Sequence, residues 1–306
     1  MPAKIIDGIR IAAAIRVGCK ERVQKLQRQT GVTPGLAVIL VGDDPASAIY
    51  VRNKMRACAE VGIRSFRYDF PREVDPQVVI ATIEKLNADP EVHGILVQLP
   101  LPPHFAIARV LRTISAQKDV DGFHLYNVGG LVVGDTVFPP CTPYGVVKLL
   151  EHESIAVEGK NVVVVGASNI VGKPMALMLM QREATVCICH AKTRDLAQFT
   201  LLADILVVAA GHPKLILPQM VRTGAVVIDV GINRLPNGKL VGDVDFEGVR
   251  QKASYITPVP GGVGPMTVTM LLVNTISSAE RTAGILPGSE PSESEPEASV
   301  LAQDGA

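Results

Sequence analysis

The chain has 306 residues, 47% of them hydrophobic, which is enough for about two domains with cores of their own. Thirty basic residues balance thirty acidic ones, so no global field draws the protein to nucleic acid or an anionic membrane. No apolar run reaches about 18 residues, the start MPAKIIDG lacks a signal-peptide core, and the five cysteines are odd in number and scattered; the cytoplasm is the expected setting.

Periodicity predicts a helix over residues 8–29. Ile11, Ile15, Cys19, Val23 and Leu26 step by four, four, four and three into one apolar stripe, and Gly31 closes the end. Residues 36–41 read as a strand that exits through Gly42-Asp43-Asp44-Pro45 into a helix over 46–61. Asp44 is its N-cap, Pro45 stands at the first helical position, and Gly62 stops it. Tyr50 and Lys54 lie four apart on this helix and share a face. They set an aromatic platform beside an amine of a type that burial makes usable for proton transfer. A surface lysine passing a half-buried tyrosine is the plainer reading of the same pair.

A second strand–helix unit follows, with a strand over 64–70, a helix opened by Asp75-Pro76, and a strand over 92–99. The last strand ends in Gln98-Leu99-Pro100-Leu101-Pro102-Pro103, and prolines cannot continue a central strand. Gln98 therefore sits where the strand opens into a rigid loop, at the end of an open α/β sheet where ligands collect. A neutral amide there hydrogen-bonds an amine without holding it charged; alternatively it ties down the loop backbone. After a helix over 105–114, Asp119 and Asp121 flank a valine and share one side of an extended segment. No further oxygen ligands at EF-hand spacing follow, so no metal is expected. One aspartate reading a hydrogen-bonding heterocycle is the functional reading, and a turn aspartate capping Gly122 the structural one.

Residues 139–143 end an irregular Gly-rich stretch and start a helix over 144–151 that bridges the domains. Residues 161–165 (NVVVV) then form a β-branched run suited to a strand buried on both faces. Gly166, Ala167 and Ser168 are small enough to let a phosphate approach the backbone. A helix predicted over 170–180 aims its free N–H groups and dipole at such an anion, and Gly172 lets it pack close to the strand. Ser168 stands where G-x-G-x-x-G has its second glycine, so a ligand-free strand–turn–helix stays open as the alternative. Further strands fall over 185–189, within 201–210, over 225–230 and over 254–256, giving a Rossmann-like doubly wound parallel sheet.

Cys187 and Cys189 alternate onto one face of their strand with no second Cys/His pair, which reads as packing rather than metal ligation. Their strand ends in His190-Ala191-Lys192-Thr193-Arg194 with no acid before Asp195, a charge pattern that favours the extra phosphate of NADP over NAD. Gly231 and Ile232, after the fourth strand, offer a place beside a nicotinamide ring. Residues 242–245 (GDVD) repeat the aspartate alternation in a turn. The Pro- and Gly-rich run over 257–267 reads either as a ligand loop or as a linker. A helix over 267–283 follows, and the acidic Pro/Ser-rich tail over 285–306 is expected to be disordered.

Seven of these stretches, in order, make the chain resemble the bifunctional methylenetetrahydrofolate dehydrogenase/methenyltetrahydrofolate cyclohydrolase family. They are residues 42–54 (GDDPASAIYVRNK), 94–102 (GILVQLPLP), 118–123 (KDVDGF), 140–145 (PCTPYG), 166–174 (GASNIVGKP), 229–233 (DVGIN) and 257–267 (TPVPGGVGPMT). The resemblance implies two α/β domains flanking a cleft. The folate-binding, catalytic domain spans 1–140 and is completed by the helix over 267–284, and the NADP-binding domain spans 141–266. It also implies NADP-dependent oxidation of 5,10-methylenetetrahydrofolate to the methenyl cation, whose hydrolysis gives 10-formyltetrahydrofolate. NAD is a possible second cofactor, and a homodimer through the later domain is implied as well.

By matching position the resemblance makes Lys54 the acid/base group of hydration, with Gln98 tuning its protonation. Tyr50 stacks on the folate and Asp121 holds the pterin, beside Val97 and Leu99. Pro260, Gly261, Gly262, Val263 and Gly264 line the folate side, and Gly166, Ala167, Ser168 and Ile232 receive the dinucleotide. Many members carry an arginine where this chain has Ala167 and a serine where it has Ala191, which leaves His190 and Lys192 to hold the phosphate. A shikimate-dehydrogenase-like enzyme and a non-catalytic NADP-binding sensor are the rival readings. ATP-driven formyltetrahydrofolate synthesis is not expected, because no G-x-x-x-x-G-K-[ST] stretch is present.

Overall fold

The computed structural model describes residues 2–285; the tail expected to be disordered lies, from residue 286 on, outside the described residues. In chain order the first elements are β1 (Lys4–Ile5), α1 (Gly8–Thr30), β2 (Gly35–Val41), α2 (Pro45–Val61), β3 (Arg64–Phe70), α3 (Pro76–Ala88) and β4 (Gly94–Val97). Next come α4 (Ile107–Thr113), α5 (Leu125–Val133), α6 (Cys141–His152), β5 (Asn161–Val165), α7 (Gly172–Met180), β6 (Thr185–Cys189) and α8 (Leu196–Thr200). The chain closes with β7 (Ile205–Val208), β8 (Val226–Asp229), β9 (Asn233–Arg234), β10 (Leu240–Val241), α9 (Phe246–Arg250), β11 (Tyr255–Ile256) and α10 (Val263–Thr282).

Two parallel sheets result, in the orders β3-β2-β4 and β1-β11-β8-β7-β5-β6. In the first, β2 splits its side chains between two layers. Leu36, Val38 and Leu40 face the core built with α1, α2 and α10, while Ala37, Ile39 and Val41 face the one built with α3 and α4. The second sheet is covered on both sides in the same way: Val162, Val164, Val207 and Ile228 face α6 and α7, and Val163, Val165, Leu206 and Val227 face the opposite layer. This is the burial on two faces that the valine-rich runs call for. One hydrophobic core runs from the first unit into the second through α6 and α10.

Within the second unit, β5, β6, β7, β8 and β11 take the order 2-1-3-4-5, a doubly wound arrangement whose strand order reverses between β5 and β7. Ligand crevices open at such a reversal, outside the carboxyl ends of the strands. A short strand from the other end of the chain, β1, adds to its edge beside β11. Among the described residues no helix is long and apolar enough to cross a membrane.

Several boundaries differ from the sequence expectation. β4 pairs with β2 only over Gly94–Val97, so the strand is shorter than 92–99 and Gln98 already stands on the exit. α10 starts at Val263 instead of 267, because Pro265 falls in the first helical turn, where its missing N–H costs nothing. α6 starts at Cys141, with Pro143 in the same permissive place. α7 starts two residues late, since Ser168 Oγ accepts from the N–H of Val171 (3.1 Å) and Gly172 (3.4 Å) and holds residues 166–171 as a turn. The stretch read as irregular contains α5, where a Cβ on Gly130 would meet the Asp135 carbonyl at 2.4 Å.

Candidate active site

The first half of the site is built on α2 and the exit of β4. Asp44 caps α2 by accepting from the N–H of Ser47 at 2.8 Å, and Pro45 opens the helix. Tyr50 and Lys54 then share a face. Lys54 Nζ donates to Gln98 Oε1 at 3.1 Å, and Gln98 Nε2 donates to the Leu99 carbonyl at 2.6 Å. The amide is thus oriented by its own loop, with its oxygen left to face the amine. The lysine's hydrogen-bond partner is neutral, as the placement of Gln98 at a strand exit suggests.

The two aspartates do not lie side by side on an extended segment, as their spacing suggests, because residues 116–122 turn. Asp119 is buried and looks inward, accepting from the N–H of His124 (2.7 Å) and from Asn127 Nδ2 (2.8 Å). Asp121 is half-buried and shares a charge interaction with Lys54. Burial raises its pKa above the usual carboxylate range; attraction to Lys54 opposes this, Asp119 adds to it, and a hydrogen bond from the Cys141 thiol opposes it. Asn274 on α10 and Cys141 on α6 both reach the Val120 carbonyl, at 2.9 and 3.3 Å, and so fix the turn that presents Asp121.

The second half is a cavity of about 440 Å³ between the two units. Tyr50, Asn53 and Ala57 of α2 form one wall, Gly231 and Ile232 the wall after β8, and Pro260 to Gly264 a third. The cavity therefore brings together Tyr50, Ile232 and the predicted Pro/Gly residues. Lys54, Gln98 and Asp121 form their own contiguous group one helical turn from Tyr50 and do not line this space. Val97 sends its side chain into the core behind the sheet, and Leu99 packs against the same core.

Gly166, Ala167 and Ser168 lie on the same carboxyl edge of the second sheet as Ile232, but β7 stands between β5 and β8, so they are about 10 Å, two strand spacings, from it. Gly166 has φ of +123°, and a Cβ there would meet the Ala209 carbonyl at 2.1 Å; one on Gly172 would meet the Gly166 carbonyl at 1.9 Å. Only glycine fits either place. The N–H groups of Ala167, Ser168, Asn169 and Ile170 have no hydrogen-bond partner among the described residues. A run of free donors at the entrance to a helix, on a strand-order reversal, fits the pyrophosphate of a dinucleotide. Ser168 spends its hydroxyl on the helix instead. His190 Nδ1 accepts from the N–H of Lys192 at 3.1 Å, which turns that ring into its own loop, while the Lys192 side chain is exposed.

The sequence reading missed a buried pair at the base of the cavity, which Asp229 helps to line. Asp229 accepts from the N–H of Gly231 (3.0 Å), Asp243 (3.0 Å) and Val244 (2.9 Å). Burial raises its pKa to about 6 despite these three donors and with help from Asp243. Asp243 accepts from the N–H of Ala210 (2.7 Å) and Gly211 (2.8 Å) and from Asn233 Nδ2 (2.8 Å). The signal available was a glycine close to each aspartate in the chain, Gly231 two residues after Asp229 and Gly242 immediately before Asp243. The missed cavity-lining residues Asn53 and Ala57 fall three and seven positions after Tyr50, on the same helix face.

Residues 6–121 match the family model of the tetrahydrofolate dehydrogenase/cyclohydrolase catalytic domain, and residues 140–283 that of the tetrahydrofolate dehydrogenase/cyclohydrolase NAD(P)-binding domain. The bifunctional protein FolD of Nitrosospira multiformis is 59% identical over 288 residues, covering 94% of this chain and 100% of that protein. The crystal structure of the bifunctional FolD enzyme of Campylobacter jejuni superposes with a TM-score of 0.89 at 53% identity, covering 91% of this chain and 99% of the other. The Trypanosoma brucei FolD structure, complexed with NADP cofactor and inhibitor, also gives 0.89, at 40% identity over 92% of this chain and 98% of that one.

Proposed function

The chain belongs to the tetrahydrofolate dehydrogenase/cyclohydrolase family, and from that premise we propose how its residues share the family's two reactions. The enzyme oxidises 5,10-methylenetetrahydrofolate to 5,10-methenyltetrahydrofolate with NADP and hydrolyses the latter to 10-formyltetrahydrofolate. Residues up to 140, completed by α10, form the folate side, and residues 141–266 the dinucleotide side. The observation that carries the assignment is the 3.1 Å bond from Lys54 to the neutral Gln98, one helical turn from a cavity that Tyr50 shares with Ile232.

Tyr50 offers its ring to the aromatic part of the folate, and Asp121 accepts from the pterin N–H groups. Gly261 to Gly264, some of them without side chains, let the substrate edge approach backbone. The N–H groups of Ala167 to Ile170 hold the pyrophosphate, Ile232 lies against the nicotinamide, and Lys192 with the exposed His190 faces the extra phosphate. When bound, the dinucleotide supplies the hydride acceptor. In the hydrolysis Lys54 takes a proton from water as the oxygen bonds the methenyl carbon, and that proton leaves to solvent. The bond from that carbon to its ring nitrogen then breaks, the hydroxyl proton passes to the nitrogen, and the formyl group remains. A charged lysine beside a cationic substrate is repelled, and Gln98, unlike a carboxylate, does not hold it charged.

Two absorbance traces test this. Mixing the protein with methylenetetrahydrofolate and NADP yields NADPH, and supplied methenyltetrahydrofolate loses its own absorbance. Neither signal appearing overturns the reading. We also propose a homodimer through the free edge of β6, where Ile188 is 40% exposed; Val132 and Val133 of α5 are exposed apolar residues as well. Sedimentation gives a dimer that Ile188→Asp weakens; a wild-type monomer overturns it. The five free cysteines fit the reducing cytoplasm.

A further inference from the structure

Two buried carboxylates, of which Asp229 also borders the cavity, form a continuous hydrogen-bonded string at the base of the crevice. At one end the N–H of Gly231, next to cavity-lining Ile232, donates to Asp229. Asp229 also receives the N–H of Asp243 and Val244. The Asp243 carboxylate then gathers Ala210, Gly211 and the Asn233 side chain. Ala209, the residue before, is the one whose carbonyl a Cβ on Gly166 would strike. The string therefore joins the exit of β8, which walls the folate cavity, to the exit of β7, which walls the dinucleotide turn.

Both carboxylates are almost fully buried, at 3% and 0% exposure. Buried carboxylates of like charge are costly unless fully hydrogen-bonded, and a hydrophobic pair would pack a loop base more cheaply. Apart from the 243–244 turn itself and the Asn233 side chain on β9, the donors they collect come from the exits of β7 and β8. Nor is there room for adjustment: a Cβ on Gly231 would stand 2.3 Å from the Asp243 carboxylate, and one on Gly242 would stand 1.9 Å from that of Asp229.

We propose that Asp243, acting with Asp229, is a positioning residue for the dehydrogenase half-reaction. It holds the loops after β7 and β8 at the separation at which the dinucleotide and the folate meet. The inference rests on the family function given above. Hydrolysis of supplied methenyltetrahydrofolate needs Lys54, Gln98 and Asp121, which lie on the other side of the cleft and share no hydrogen bond with this pair. It is therefore the reaction the device does not serve.

The test measures both reactions in Asp243→Asn. The amide cannot accept from both loops at once, because its NH2 group faces one set of donors. The expected result is an NADP KM raised roughly tenfold and a lower dehydrogenase kcat, with hydrolysis of supplied methenyltetrahydrofolate within about twofold of wild type. Asn233→Ala, which removes one donor and keeps the carboxylate, moves NADP KM the same way by about threefold and decides the matter if Asp243→Asn does not fold. Both activities falling together with the melting temperature, or a folded variant with unchanged NADP KM, overturns the proposal. If wild type shows neither reaction, the family function fails instead, and calorimetric NADP binding by the same variants still reads the positioning role: weakened binding supports it and unchanged binding overturns it.

Discussion

Asp119 and Asp121 show how one residue type takes opposite roles according to its surroundings. Asp119 and Asp121 are two positions apart, yet one is spent on His124 and Asn127 and the other faces Lys54. Asp121→Ala is expected to raise the folate KM roughly tenfold through lost hydrogen bonds, with NADP KM unchanged; equal folate affinity contradicts its role. Gln98→Glu sets a full negative charge 3.1 Å from the amine and favours its protonated form. Hydration at neutral pH should fall by about tenfold or more, while a rate equal to wild type shows that the neutral amide is not needed. Individually these residues were legible because a proline cluster and a Tyr-x-x-x-Lys spacing mark loop and helix faces. Which aspartate faces Lys54 was not legible from spacing, since a turn and not an extended segment carries them; only the family resemblance singled out Asp121.

At the level of elements, caps and buried runs were the readable part. Asp44, Pro45 and Gly62 bound α2 where the sequence puts them, and NVVVV is β5. The short β1, the β9–β10 hairpin and α5 were not readable, because two-residue strands carry no periodicity and α5 holds two glycines whose fit depends on Asp135. The Asp229–Asp243 pair left only a weak local signal, the nearby Gly231 and Gly242, because its donors come from the separate exits of β7 and β8.

This pair gives an element-scale prediction. Asp229 titrates near 6 when folded, against about 3.8 when unfolded. The folded state therefore holds its proton longer, so the group's stabilising contribution is full below about pH 4 and is lost as pH rises through about 6. The span of about two units is worth about 3 kcal/mol. The melting temperature of wild type minus that of Asp229→Asn should fall across this window, and a constant difference shows that the carboxyl titrates normally.

Among the described residues, the two parallel sheets share one core through α6 and α10, with strand β1 and helix α10 crossing from the two ends of the chain. That crossing explains why the units stay in register. Glu153, at the end of α6 and almost fully buried, binds Lys4 at 2.8 Å and Arg10 at 3.0 Å, which ties the start of the chain to the helix between the units. The two-domain plan was legible because seven motifs recur in family order. The exchange of end segments was not, since no local pattern says which sheet a two-residue strand will join.

The account as a whole holds that the amine on α2 performs hydration at a crevice whose far wall belongs to the second sheet. The most direct measurement is the hydrolysis rate of methenyltetrahydrofolate by Lys54→Met, with melting temperature taken on the same sample. The rate is expected to drop by about 10²–10⁴-fold, the usual worth of a positioned acid/base group, in a protein that melts as wild type does. A folded Lys54→Met that hydrolyses at the wild-type rate contradicts the account.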